Sequence, residues 1–118
     1  FSTDYEELEI LELTPENGAS NVNGPRTEVL KAWFNGDIQV VDGKDLLRSV
    51  RVYNRTDREI VEIKKVELDQ DKLLITLKEP LLRNIAYEVT IRANCFEAED
   101  TGDKFEGLDG SEWRFTTR

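Results

Sequence analysis

No histidine and no methionine occur anywhere in these 118 residues, and cysteine occurs once. Without histidine, a serine nucleophile lacks the imidazole that would activate it, so the common hydrolase triads are excluded. One cysteine and no histidine cannot fill a tetrahedral zinc site. Cys95 has no partner for an intramolecular disulfide, so the fold must be stable on its core alone. Its neighbours Ala93 and Phe96 point to a small buried apolar residue, with a reactive thiol as the alternative.

Cations are also short: 16 Lys and Arg stand against 25 Asp and Glu, for a net charge of −9. Nucleic-acid binding needs clustered cations to displace counterions, and here Lys64-Lys65, Arg55 and Arg58 are interleaved with acids. Neither nucleic acid nor an anionic membrane surface is therefore an expected partner. No apolar run approaches the roughly 20 residues that cross a bilayer, so membrane insertion is not expected. Methionine is missing even from position 1, so the chain is expected to be excised from a longer protein. Residues 1–118 are one domain by size, with a core spanning 8–117.

What is present is alternation of period two, the mark of half-buried strands. In the run Glu7-Leu8-Glu9-Ile10-Leu11-Glu12-Leu13 the apolar phase switches between Ile10 and Leu11, setting Leu8 and Ile10 on one face, Leu11 and Leu13 on the other. Such a switch predicts a β-bulge in a first strand that crosses between sheets. A turn-rich stretch follows, in which Asn17-Gly18 supplies a left-handed corner. Leu30, Ala32 and Phe34 then face inward, with Trp33 outward; Val50 and Val52 face inward, with Arg51 and Tyr53 outward. Residues 60–68 read as one strand whose spacing slips between Ile63 and Val66, a second bulge or bend. Leu73, Ile75 and Leu77, then Tyr87, Val89 and Ile91, and finally Trp113 and Phe115 complete the inward rows. A single helical turn is expected near Asp45 and Arg48. About seven short strands with turn signals between them predict an all-β antiparallel β-sandwich. The longest irregular stretch, 97–110, is acidic and glycine-punctuated, and reads as a functional or surface loop.

Four phrases fall in order along the chain. Pro15, Gly18, Ala19 and Val22 form the first, and Phe34-Asn35-Gly36-Asp37-Ile38 the second. The third is Pro80-Leu81, then Asn84 in a glycine place, then Tyr87, Val89 and Ile91; the fourth is Trp113 to Thr117. In this the chain resembles a bacterial immunoglobulin-like domain of the type first associated with S-layer proteins, over residues 8–117. It departs from that pattern at Arg26 to Glu28, which lengthen the first loop, and at 97–110, which replace a tighter turn. The resemblance implies an immunoglobulin-like antiparallel β-sandwich of about seven strands, and an extracellular or cell-surface bacterial module that positions other domains and has no catalytic residues. It also implies that Tyr87 plays the part of a tyrosine corner, its hydroxyl tying a crossover loop to a strand.

Function is thus expected to be non-catalytic, with neighbouring domains of the same chain as partners. Trp33 and Tyr53 are the candidate ligand-binding residues, because an outward aromatic pair stacks on sugar rings of cell-wall or other polysaccharide, or docks a protein. Ser20 and Ser111 read as turn residues. No cofactor is expected. Calcium is the alternative to a solvated acidic loop at Glu97, Glu99, Asp100, Asp103, Glu106 and Asp109, although Asp100-Thr101-Gly102-Asp103 lacks EF-hand spacing.

Overall fold

The computed structural model describes residues 8–118; residues 1–7, including Phe1 and the Glu7 that opens the first alternation, lie outside it. Among the described residues ten strands alternate with turns and loops: β1 (Ile10–Thr14), β2 (Val29–Phe34), β3 (Ile38–Val40), β4 (Val50–Asn54), β5 (Glu59–Val61), β6 (Ile63–Asp69), β7 (Lys72–Leu77), β8 (Ala86–Ile91), β9 (Phe96–Ala98) and β10 (Arg114–Thr116). One antiparallel sheet has the order β1-β2-β7-β6, and the facing sheet the order β10-β8-β4-β5. The sandwich thus holds eight strands, one more than the sequence reading. The extra pair, β3 with β9, forms a separate ribbon at one end.

Period-two burial builds the core. Leu30, Ala32 and Phe34 of β2 and Leu73, Ile75 and Leu77 of β7 point inward from one sheet. Val50 and Val52 of β4, Tyr87, Val89 and Ile91 of β8, and Phe115 of β10 answer from the other. Each fully buried aliphatic side chain of this kind contributes about 1.5–3 kcal/mol by leaving water.

Both predicted slips are present. Between Ile10 and Glu12 the β1–β2 register shifts by one residue. The extra residue is Leu11, which is 68% exposed, while Ile10 and Leu13 pair with Phe34 and Ala32 and pack on the core. Leu11 and Leu13 therefore do not share a face, because the bulge ejects one to let the other turn inward. The second shift lies between Ile63 and Lys65, where Lys64 is the extra residue. Residues 60–68 are not one strand, however. The chain leaves β5 in one sheet and enters β6 in the other across Glu62, so Val61 and Ile63 reach the core from opposite sheets. Two inward residues at i and i+2 look the same in sequence whether or not the strand changes sheet.

The first strand also changes sheets, at Thr14–Pro15, whose peptide bond is cis. Residues 18–22 then run parallel to β10, with backbone bonds Gly18 N to Arg114 O (2.6 Å), Thr116 N to Ala19 O (2.8 Å), Val22 N to Thr116 O (3.3 Å) and Arg118 N to Val22 O (2.9 Å). Gly18 makes this corner with φ of 86°, a conformation costly to any residue with a Cβ. Asn84, in the glycine place of the third sequence phrase, has φ of 56°, and asparagine is among the few residues that adopt it readily. The expected helical turn is α1 (Leu46–Ser49), capped where Leu47 N donates to the Asp45 carboxylate at 3.0 Å.

The molecule measures 49 × 27 × 21 Å. At one pole Phe34, Phe96 and Phe105 pack together, and at the other the β7–β8 crossover is clasped around Leu82. Leu8 sits at the aromatic pole, where its N–H donates to Asp103. Arg118 lies at the Leu82 pole, one residue beyond Thr117, whose hydroxyl donates to Leu82 O. The chain therefore enters and leaves the sandwich at opposite ends.

Candidate functional site

Trp33 and Tyr53 both point outward and are half-buried, as the alternation required. They do not form one surface. Trp33 lies on the outer face of the β1-β2-β7-β6 sheet, flanked across the strands by Glu12 and Lys72. Tyr53 lies on the outer face of the opposite sheet, in a row with Ile60 on one side and Glu88 then Arg114 on the other. The core stands between them, so a ligand can meet one ring or the other but cannot stack on both.

The stretch 97–110 is not a free acidic loop. Phe105 is buried and stacks on Phe96 with centroids 4.7 Å apart and planes at 11°, and both rings present to Phe34 edge-on at 5.5 and 5.2 Å. Leu108 is buried and bridges back to Ile91, while Glu97 pairs with Lys104 in a second bridge. These contacts make the ribbon pole a small aromatic core of its own, joined to the main one through Phe34. The sequence reading missed it because Phe105 is an isolated aromatic among acids with no alternation around it. The one available signal was that a solvated loop has little reason to carry both Phe105 and Leu108.

The carboxylates of this stretch are spread over separate local contacts. An Asp103 oxygen accepts the Leu8 N–H at 2.7 Å. Glu97 accepts from Gln39 at 3.2 Å and meets Lys104 at 3.7 Å. Asp109 accepts from the hydroxyl and N–H of Ser111 at 2.5 and 2.8 Å, bonds that hold its carboxyl below the usual aspartate range. Ser111 is thus a turn residue. Among the described residues no three Asp, Glu, Cys or His side chains converge as metal ligands.

Tyr87 does what the resemblance implied. Its hydroxyl accepts the Leu82 N–H at 2.8 Å across the β7–β8 crossover, and burial raises its pKa. Its counterpart is Thr117, the last residue of the fourth sequence phrase, which is buried. Its hydroxyl donates to Leu82 O at 2.6 Å and accepts Ile85 N–H at 2.9 Å. Trp113, fully buried, donates its indole N–H to Pro15 O at 2.7 Å and so ties the last strand to the sheet-changing corner. Cys95 is buried, and desolvation raises its thiol pKa, which makes it a packing residue rather than a nucleophile.

Among the open grooves of the surface, two border the strand-changing corner and the crossover. The larger, about 650 Å³, lies where β1 departs from β2 and is lined by Pro15, Ala19, Val22 and Val29 with Arg26 and Lys31 at its sides. The other, about 360 Å³, runs between β5 and the clasped crossover, past Ile60 and Leu82.

The family model for the bacterial Ig-like domain matches residues 4–117. No curated protein matches the chain. Among solved structures, the N-terminal part of the bacterial S-layer protein SbsC superposes with a TM-score of 0.62 at 15% identity, over 96% of this chain and 24% of that one. Domains 1–6 of the surface layer protein SbsC give a TM-score of 0.63 at 14% identity, over 96% of this chain and 14% of that one. The chain thus spans a quarter or less of these larger proteins, and at such identity the likeness is one of fold.

Proposed function

Because the chain belongs to the bacterial Ig-like domain family, we propose that it is a non-catalytic spacer and assembly module of a bacterial cell-surface or secreted multi-domain protein. The observation that carries this reading is the exit of the chain from opposite poles of a body 49 Å long. A stiff sandwich with that path sets its neighbours apart and fixes their direction, whereas a domain with adjacent ends would hang to one side. Its partners on this reading are the neighbouring domains of the same chain. The similarity to pieces of an S-layer protein supports the cell-surface setting, and among the described residues no helix is long and apolar enough to cross a membrane.

The competing reading is an accessory module that binds polysaccharide through Trp33 or through Tyr53. Back-to-back placement removes the paired platform and leaves a single half-buried ring on each side. Retention on insoluble polysaccharide and cell-wall material separates the two. The spacer reading expects the chain to wash through, with Trp33→Ala and Tyr53→Ala behaving alike. Retention that is lost in either variant replaces the spacer with a binding module.

A further inference from the structure

Charge is divided between the two poles of the sandwich. Arg55 and Arg58 of the β4–β5 turn, Arg26 of the short turn packed on the crossover, Arg83 of the crossover itself and Arg118 all lie exposed at the Leu82 pole. Among the described residues none of these five arginines forms an ion pair; the pairs use Arg48, Lys65, Lys78, Lys104 and Arg114. The nearby acids sit in the flanking grooves, Glu59, Glu62 and Glu79 with Lys78 in one, Glu28 with Lys31 in the other. Asp57 accepts from the Asn54 amide. The aromatic pole carries the opposite sign. Glu9, Asp37, Glu99, Asp100 and Glu106 are exposed there, tied to it by the bonds Asn35 N to Glu9 O and Glu99 N to Asp37 O. Its cations are Lys44, Lys72 and Lys104, and Lys104 is held by Glu97. Each pole also presents an exposed apolar side chain, Leu82 at 56% and Val40 at 41%. Both stand on fixed backbone: Tyr87 and Thr117 grip the Leu82 N–H and C=O, and Val40 is paired with Phe96 in the β3–β9 ribbon.

We propose that the Leu82 pole docks head to tail on the aromatic pole of a second copy of this chain, a contact that names a partner for the spacer reading and rests on it. A symmetric contact between like poles sets arginine against arginine or carboxylate against carboxylate, and such juxtaposition is repelled. The head-to-tail arrangement sets the unpaired arginines against the exposed acids. It also gives the interface an apolar side chain from each partner inside a charged rim, the usual anatomy of a protein contact. The clasp and the ribbon already hold both surfaces in place, so docking loses little ordering entropy. One free pole of each kind remains on the resulting pair. The contact therefore repeats, and copies line up along the 49 Å axis. Because the charges are exposed, their attraction reaches about 10 Å at 0.1 M salt and fades above it.

The test is sedimentation of the full chain at about 20 mM and about 500 mM salt, between which the screening length falls from about 20 Å to about 4 Å. Arg26→Gln with Arg83→Gln disables the Leu82 pole, and Glu99→Gln with Asp100→Asn disables the aromatic pole. All four side chains are exposed, and thermal melts check that both variants fold. The wild-type chain is expected to form dimers and larger species at low salt and monomers at high salt. Each variant alone should associate at least about tenfold more weakly. Mixed together, the two variants should form a 1:1 pair that grows no further, since one supplies an intact aromatic pole and the other an intact Leu82 pole. A wild-type chain that stays monomeric at low salt, association indifferent to salt, variants that match the wild type, or a mixture no stronger than either variant alone would each overturn the head-to-tail contact. Those results leave the spacer reading standing, because polysaccharide retention decides it separately.

Discussion

Tyr87 and Thr117 hold the two polar groups of a single residue: the tyrosine hydroxyl accepts the N–H of Leu82, and the threonine hydroxyl donates to its C=O. The Leu82 side chain is itself 56% exposed, so the crossover is fixed by its backbone and not by burying that residue. One arm comes from the start of β8 and the other from the residue after β10, so the grip joins the crossover to the final strand.

Tyr87→Phe is expected to cost about 1–2 kcal/mol, because the ring stays packed and only the acceptor is lost. Thr117→Val removes a donor and an acceptor at once, at a similar or larger cost. In a double-mutant cycle read by urea unfolding the two should be non-additive, since both order the same residue. Strict additivity would show that they act separately. Burial raises the Tyr87 pKa, so its contribution is complete below pH 10 and declines as pH rises through the raised value. Tyr87→Phe should therefore flatten the alkaline end of the stability profile.

Gly24 lies against this same clasp, where a Cβ would collide with the Leu82 carbonyl oxygen. Gly24→Ala is expected to destabilise by about 1–3 kcal/mol through forced displacement of backbone. Gly36→Ala meets nothing within 4 Å and should change stability by no more than about 0.5 kcal/mol. Thermal melts of both variants decide the point.

At the aromatic pole, Phe105→Ala should cost about 3–5 kcal/mol, the range for a buried aromatic. Leu11→Ala, at the exposed bulge, should be close to neutral. A small effect at Phe105 would mean that 97–110 is a surface loop after all.

Cys95 should resist thiol reagents in the folded protein and react only as the chain unfolds. Its Sγ is desolvated and its pKa is raised, so little thiolate exists at neutral pH. Native reaction at the rate of a free thiol would contradict the packing role.

Millimolar calcium should leave the melting temperature unchanged. A site at 100 times its dissociation constant would add about 2.7 kcal/mol, a rise of about 10 °C for a domain of this size. A saturable rise of that order would identify a calcium-stabilised linker.

The strand pattern was legible from the residues alone. Alternation at 30–34, 50–53, 73–77 and 87–91 placed the inward rows, and both bulges showed as slips of phase near Ile10 and Ile63. These features are local, because a pleated strand exposes alternate side chains to opposite faces whatever it pairs with. Tertiary structure alone decided which sheet each strand joins. That choice divided 59–69 at Glu62, turned the chain at Pro15, and set Trp33 and Tyr53 on opposite sides of the core. It also brought Phe105 to Phe34, Thr117 to Leu82 and Trp113 to Pro15, pairs separated by tens of residues. Periodicity records the environment of a side chain but carries no address for its partner, and these contacts are defined only by partners.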